Sequence, residues 1–90
     1  MKRDAITLTD GTVGENGSEF YGADLDGIRW LISLPHSGFG WDAARTFCRD
    51  LVEHLPAVIE PVYDEEADRW YVYRGNYGIP LSQFTFEVIS

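Results

Sequence analysis

Two acids before a glycine are the first residues whose types suggest chemistry. Asp24, Asp26 and Gly27 are typical of the start of a calcium-binding loop, where carboxylate oxygens coordinate the ion. Such a loop needs further oxygen ligands and a final glutamate at fixed spacing, but residues 28–30 are Ile-Arg-Trp. The pattern therefore favours a hairpin turn over a calcium site.

The two histidines lie far apart in the sequence and do not have the spacing of a metal pair. His36 falls in a loop that contains proline and glycine, and His54 falls on the polar side of a helical segment. Residues 37–40, Ser-Gly-Phe-Gly, could offer backbone amides to an anion, but they lack the lysine of a phosphate loop. We expect no metal site and no cofactor.

Cys48 is the only cysteine and cannot form a disulfide within the chain. It lies beside Phe47 on the apolar side of the helical segment, where a thiol behaves as a small buried hydrophobe. A nucleophile there would be inaccessible. The sequence therefore predicts no catalytic residue, although a triad can also assemble from residues that are distant in sequence.

One segment, residues 42–55, has the period of a helix. Its apolar residues recur every three or four positions and predict a stripe that faces a sheet, with Phe47 and Leu51 in the core. Asp42 is a candidate N-cap, because its carboxylate can accept hydrogen bonds from the first free amides. Pro56 predicts the end of the helix, because it lacks an N–H and crowds the preceding turn.

Six further segments predict β-strands by alternation or by strand-forming side chains. They are residues 5–9, 19–25, 28–34, 57–63, 69–74 and 83–89. Asp10-Gly11 and Asp26-Gly27 predict hairpin turns after the first two. Pro61 removes a backbone donor, which predicts an edge or irregular strand, and residues 75–80 contain glycine and proline typical of a connection.

Together these elements predict an α+β fold in the order βββαβββ, with a mostly antiparallel sheet of five to six strands packed against one amphipathic helix. Ninety residues leave room for a single domain, residues 1–90. The apolar fraction of 44% is sufficient for a core and argues against disorder.

The charge of the chain indicates the kind of partner it can meet. Fifteen Asp and Glu against seven Lys and Arg give a formal charge of −8, which repels phosphates and anionic lipids and attracts basic surfaces. We expect a larger protein with a basic surface as partner, no direct nucleic-acid binding and no membrane. Residues 1–4 are charged and are not followed by the apolar stretch of a secretion signal, which predicts a cytoplasmic protein.

An aromatic strand and an acidic turn form the candidate partner-binding surface. Residues 69–74 are Arg-Trp-Tyr-Val-Tyr-Arg, and only one side of a strand can face the core, so aromatic rings remain on the other side. Four acids lie just before this strand, within residues 64–68. The predicted partner-binding residues are Tyr63, Asp64, Glu65, Glu66, Asp68, Tyr71, Tyr73, Arg74 and Tyr77.

This surface also has simpler interpretations. Loops could cover the rings, and acids usually only keep a protein soluble. The other acids, Asp24 and Glu87 among them, are expected to point mostly to solvent.

The sequence resembles a family of short bacterial proteins of unknown function, which have a strand, an Asp-Gly turn and a strand before a helix. The residues that carry the resemblance are Phe20, the run Asp24-Leu25-Asp26-Gly27, residues 28–34, Phe47 and the run Leu81-Ser82-Gln83-Phe84. The resemblance implies a fold and no activity. In size and charge the chain is also similar, as a class, to small acidic phage-encoded inhibitors of bacterial defence, including anti-CRISPR proteins.

Three functions are consistent with the sequence. The first is a non-enzymatic inhibitor or adaptor that blocks a basic site, such as one that binds nucleic acid, on a larger protein. The second is a structural or homo-oligomeric protein, a homodimer for example, whose edge strand or tyrosine-rich face pairs with another copy. The third is a small enzyme that uses acids and a histidine.

Overall fold

A computed structural model describes residues 5–34 and 40–90 of the chain. His36 and residues 37–39 of the candidate anion loop lie outside the described residues. The elements are β1 (Ile6–Val13), β2 (Glu19–Asp24), β3 (Arg29–Ser33), α1 (Gly40–Glu53), β4 (Ala57–Ile59), β5 (Pro61–Asp64), β6 (Arg69–Arg74), β7 (Tyr77–Pro80), a 3₁₀ turn (Leu81–Gln83) and β8 (Thr85–Val88).

The strands form two antiparallel sheets. Five strands lie in the order β4-β1-β2-β3-β8, and three lie in the order β5-β6-β7. The predicted α+β class, with antiparallel strands and one helix, is confirmed. The sequence predicted one sheet of five to six strands, whereas the described residues contain eight strands that divide between two sheets.

The core lies between α1 and the five-stranded sheet. The buried side of α1 presents Ala44, Phe47, Cys48 and Leu51, as its period predicts. The sheet contributes large buried side chains from β1, β2 and β3, the largest of them Trp30 and Phe20. Phe47 and Leu51 are each 1% exposed, which confirms their predicted place in the core.

The helix begins two residues earlier than the sequence predicts. Gly40 opens it with a φ of +78°, a left-handed conformation that glycine adopts without steric cost. Asp42 lies within the first turn instead of capping it, so the N-cap prediction is wrong. The carboxylate still lies at the positive end of the helix dipole.

The prediction of a hairpin turn at Asp10-Gly11 is also wrong, because β1 continues through both residues to Val13. Gly11 and Gly22 are paired across β1 and β2, and the ring of Phe20 lies over both. A Cβ atom on Gly11 would lie 2.1 Å from the Cζ atom of Phe20. The glycine therefore makes room for a ring from the next strand and is not part of a turn.

Asp24 is 3% exposed, which contradicts its predicted position in solvent. Its Oδ1 accepts the backbone N–H groups of Asp26 and Ile28 at 2.9 and 3.1 Å, and its Oδ2 accepts the indole N–H of Trp30 at 3.2 Å. The carboxylate therefore fixes the β2–β3 turn and one side of the core. The predicted turn at Asp26-Gly27 is confirmed, and protein N–H groups use the oxygens that a calcium ion would need.

Residues 57–63 were expected to form one edge or irregular strand. The structure interrupts them at Glu60, so that β4 pairs with β1 and β5 pairs with β6. Both β4 and β5 lie at the edge of their sheets, as Pro61 predicts. Residues 77–80 of the predicted connection form β7, and Pro80 is accommodated because β7 is also an edge strand.

Candidate protein-interaction surface

The three-stranded sheet, called here the aromatic sheet, is held to the core by few residues. Val72 of β6 and Ile79 of β7 are directly paired, and their side chains are 1% and 3% exposed. Most other large apolar side chains of the sheet are about half exposed; they are Val62, Tyr63, Trp70, Tyr73 and Tyr77. The sheet therefore projects from the core with its rings in solvent.

The register assigns these side chains to two faces, because directly opposed residues of antiparallel strands share a face. Tyr63 is opposite Trp70, and their ring centroids are 5.3 Å apart. Both lie on the face that carries Val72. This face, the Trp70 face, is buried at Val72 but extends beyond the core at Trp70, which is 52% exposed.

The opposite face, the Tyr73 face, has two stacked tyrosines. The ring centroids of Tyr71 and Tyr73 are 6.0 Å apart with an interplanar angle of 30°. The ring of Tyr73 also lies over Gly78, where a Cβ atom would come within 2.4 Å of it. Gly78 therefore allows the ring to lie flat on the sheet, so the exposed face of Tyr73 is held in position before any partner arrives.

The acidic turn between β5 and β6 uses two of its four acids internally. Asp64 Oδ1 accepts the backbone N–H groups of Glu66 and Ala67 at 3.0 and 3.3 Å. Asp68, whose φ is +52°, accepts a hydrogen bond from the Tyr63 hydroxyl. This bond is the main reason that the pKa of Tyr63 is raised above its usual value, with smaller contributions from desolvation and from the charge of Asp64.

Glu65 and Glu66 are the exposed acids at the tip of this turn. Their carboxylates have no hydrogen bond or ion pair to any residue in the described ranges 5–34 and 40–90. Of the four predicted acids, these two are therefore the ones free to meet a partner, while Asp64 and Asp68 shape the turn that presents them.

Arg74 has a role inside the molecule. Its Nε atom lies 3.2 Å from Asp50 Oδ2 of α1, at the distance of an ion pair, although the N–H is not directed for a hydrogen bond. Both side chains are less than one-third exposed. Arg74, one of the predicted partner-binding residues, lies between the aromatic sheet and the helix.

The same end of α1 brings three potential metal ligands together. Ligand atoms of Asp50, Glu53 and His54 lie within 4.8 Å of one another, and His54 Nδ1 is 3.1 Å from Asp50 Oδ1. Such i, i+3, i+4 spacing places side chains on one face of a helix. The guanidinium of Arg74 lies against Asp50, where its positive charge opposes that of an added cation.

A groove of about 630 Å³ lies beside Trp70 at the edge of the aromatic sheet. It is lined by Arg69, Trp70, Pro80, Leu81, Ser82 and Gln83. The indole ring, the proline and the leucine give it apolar walls, and its open shape suits a protruding side chain of another protein better than an enclosed small molecule.

Six of the nine predicted partner-binding residues are exposed in this sheet and its acidic turn, whereas Asp64, Tyr71 and Arg74 are half-buried, and the prediction did not include Val62 or Trp70. A signal for Trp70 was present. If residues 65–68 form the hairpin turn, Tyr63 must oppose Trp70, and two large rings on the same face of a narrow sheet cannot both enter the core.

Comparison with models of known protein families, with curated proteins and with solved structures found no match to this chain. The resemblance to short bacterial proteins and to phage-encoded inhibitors therefore stays a prediction. Among the described residues, no helix is long and apolar enough to cross a membrane.

Proposed function

We propose that this chain is a non-enzymatic protein-binding module that blocks a basic, nucleic-acid-binding site on a larger protein, as phage-encoded anti-CRISPR and other anti-defence proteins do. One observation carries the proposal. The aromatic sheet exposes large rings on both faces, and the free carboxylates of Glu65 and Glu66 stand at its tip.

The rings supply the affinity in this proposal. Half-exposed tyrosine and tryptophan side chains are typical interaction hot spots, because they bury a large area and lose little conformational freedom. Tyr73 is already held against Gly78, and Trp70 against Tyr63, so binding requires little further ordering of these side chains.

The acids supply the choice of partner. A chain of charge −8 attracts a basic surface over about 8–10 Å at physiological ionic strength. Glu65 and Glu66 meet that surface first because they lie at the tip of the turn. A groove that ordinarily binds phosphates has the complementary charge, and occupation by this chain would exclude the nucleic acid.

The experiment compares variants of the immobilised chain in a bacterial lysate. Trp70→Ala and Tyr73→Ala each remove a ring from one face of the aromatic sheet. Leu25→Ala is the matched control, since Leu25 is 72% exposed and lies in the β2–β3 turn. We expect a basic protein that the parent chain and the control retain, and that at least one ring variant loses.

The captured protein is then purified and tested for binding to nucleic acid with and without this chain. Competition between the two is the expected result. Equal capture by all three variants would show that the aromatic sheet is not part of the binding surface. Simultaneous binding of this chain and nucleic acid to the captured protein would contradict the blocking role.

A further inference from the structure

The two edges of the five-stranded sheet differ in how they are protected. β4 has only three residues, is preceded by Pro56 and is followed at once by Glu60 and Pro61. Prolines and short length are common means of preventing an edge strand from pairing with another chain. β8 contains no proline, and four of the five residues that follow Thr85 are exposed.

The hydrogen bonds on the two sides of β3 fix which backbone groups of β8 face outward. Ile89 donates its N–H to the carbonyl of Arg29 in β3 at 2.9 Å. Leu34, which follows β3, donates its N–H in the opposite direction, to the carbonyl of Ser18 just before β2, at 2.9 Å. Because backbone direction alternates along an antiparallel strand, residues 85, 87 and 89 bond to β3. Phe86 and Val88 therefore direct their N–H and C=O groups away from β3.

Among residues 5–34 and 40–90, no strand pairs with this outer side of β8. Val88 is 53% exposed although it lies opposite Trp30, on the face that carries the core. Glu87, on the other face, lies opposite Leu31. The edge thus offers four outward backbone groups. Phe86 and Val88 make one of its faces apolar, and Glu87 places a carboxylate on the other face.

We propose that β8 accepts an extended strand of a partner protein in antiparallel pairing, and that this strand carries a Lys or Arg opposite Glu87. Two partner residues would form hydrogen-bonded pairs with Phe86 and Val88. The residue between them would face Glu87 in a non-hydrogen-bonded pair, where Cα atoms approach to about 4.5 Å and side chains interact most closely.

Charge selects this partner over a second copy of the chain. In the register that pairs Phe86 with Val88 of a second β8, the closest side-chain pair is Glu87 with Glu87, and directly opposed like charges destabilise a sheet. Each copy also carries a charge of −8. A basic alternating strand meets the same backbone groups with attraction in place of repulsion.

The test uses two blocked synthetic peptides, acetyl-Thr-Val-Lys-Val-Thr-amide and the same sequence with Glu at the centre. Binding to the isotopically labelled chain is followed by NMR titration and by amide hydrogen exchange. We expect the Lys peptide to slow exchange at Phe86 and Val88 but not at Glu87, whose N–H already faces β3. We expect the Glu peptide to bind about two- to fivefold more weakly, the discrimination typical of one cross-strand charge pair.

Two variants separate edge pairing from general attraction to an acidic protein. Val88→Pro removes an outward N–H, which an edge strand tolerates, and should abolish peptide binding with little loss of fold. Glu87→Lys should reverse the preference between the peptides even if Val88→Pro does not fold. Shift changes spread over the acidic turn, equal binding of both peptides, or exchange at Phe86 and Val88 that slows with chain concentration alone would each overturn the proposal.

Discussion

The carboxylate of Asp24 shows how much one polar group can organise. A buried carboxylate is costly unless its oxygens are hydrogen-bonded, and Asp24 satisfies this condition with two backbone N–H groups and the indole of Trp30. The turn could be predicted from Asp26-Gly27. The burial of Asp24 could not be predicted, because the third donor, the indole N–H of Trp30, lies on the other strand of the hairpin.

Cys48 gives the prediction at the scale of single residues. Burial, and to a smaller extent the negative charge of Glu19, raises the pKa of its thiol from 9.0 to about 12. At pH 8 the folded chain should therefore contain almost no thiolate, and a disulfide reagent should react with Cys48 only as fast as the protein opens. Reaction rates measured across a urea series test this expectation, and rapid labelling of the native chain would contradict it.

The same shift has a consequence for stability. The folded chain holds the thiol proton more tightly than the unfolded chain does. The resulting contribution to the free energy of unfolding is therefore fully present below pH 9 and is lost as the pH rises towards 12. Cys48→Ser and Cys48→Ala variants would remove this dependence from the denaturation curves.

At the scale of elements, periodicity predicted what is local. The β2–β3 hairpin and α1 follow from alternation and from the 3.6-residue repeat, since both are patterns within one short segment. The length of β1 depends on Phe20, which lies over Gly11 from another strand, and so the Asp-Gly pair was misinterpreted. The separation of β4 from β5 depends on which distant strand each one meets, and no local pattern reports that.

Leu51 tests the packing of α1 against the sheet. Its side chain is 1% exposed, and truncation would leave a cavity that a close-packed core fills poorly. We expect Leu51→Ala to lower the free energy of unfolding by about 2–5 kcal/mol. Urea denaturation measures it, with Glu53→Ala on the exposed side of the same helix as the control. A loss below about 0.5 kcal/mol, typical of a surface substitution, would place the side chain outside the core.

For the whole molecule, the composition predicted the sign of the net charge but not which acids are exposed and which are used in internal contacts. Four acids before an aromatic strand identified a part of the chain that exposes large rings. They could not show that Asp64 and Asp68 are used within the turn, or that Arg74 pairs with Asp50 of a helix more than twenty positions earlier. Those contacts depend on how the aromatic sheet stands against α1.

The two exposed acids and the rings should affect different rate constants once a partner is known. Changing Glu65 and Glu66 together to Gln should slow association and weaken its salt dependence, because exposed charges steer encounter. Tyr73→Ala should instead speed dissociation, because it removes a contact that becomes buried. Surface plasmon resonance over a range of salt concentrations separates the two effects. Unchanged association kinetics in the acid variant would assign these charges to solubility alone.

The aromatic sheet is built from one continuous stretch, residues 61–80, which begins where β4 ends and returns to the main sheet through the 3₁₀ turn. Its strands pair only with one another, β5 with β6 and β6 with β7. Substitution there can change the outline and charge of the surface while the residues that form the main sheet stay as they are, provided that Val72, Arg74 and Ile79 are kept. Under the proposed function, the binding target of the aromatic sheet could therefore change while the core stays the same.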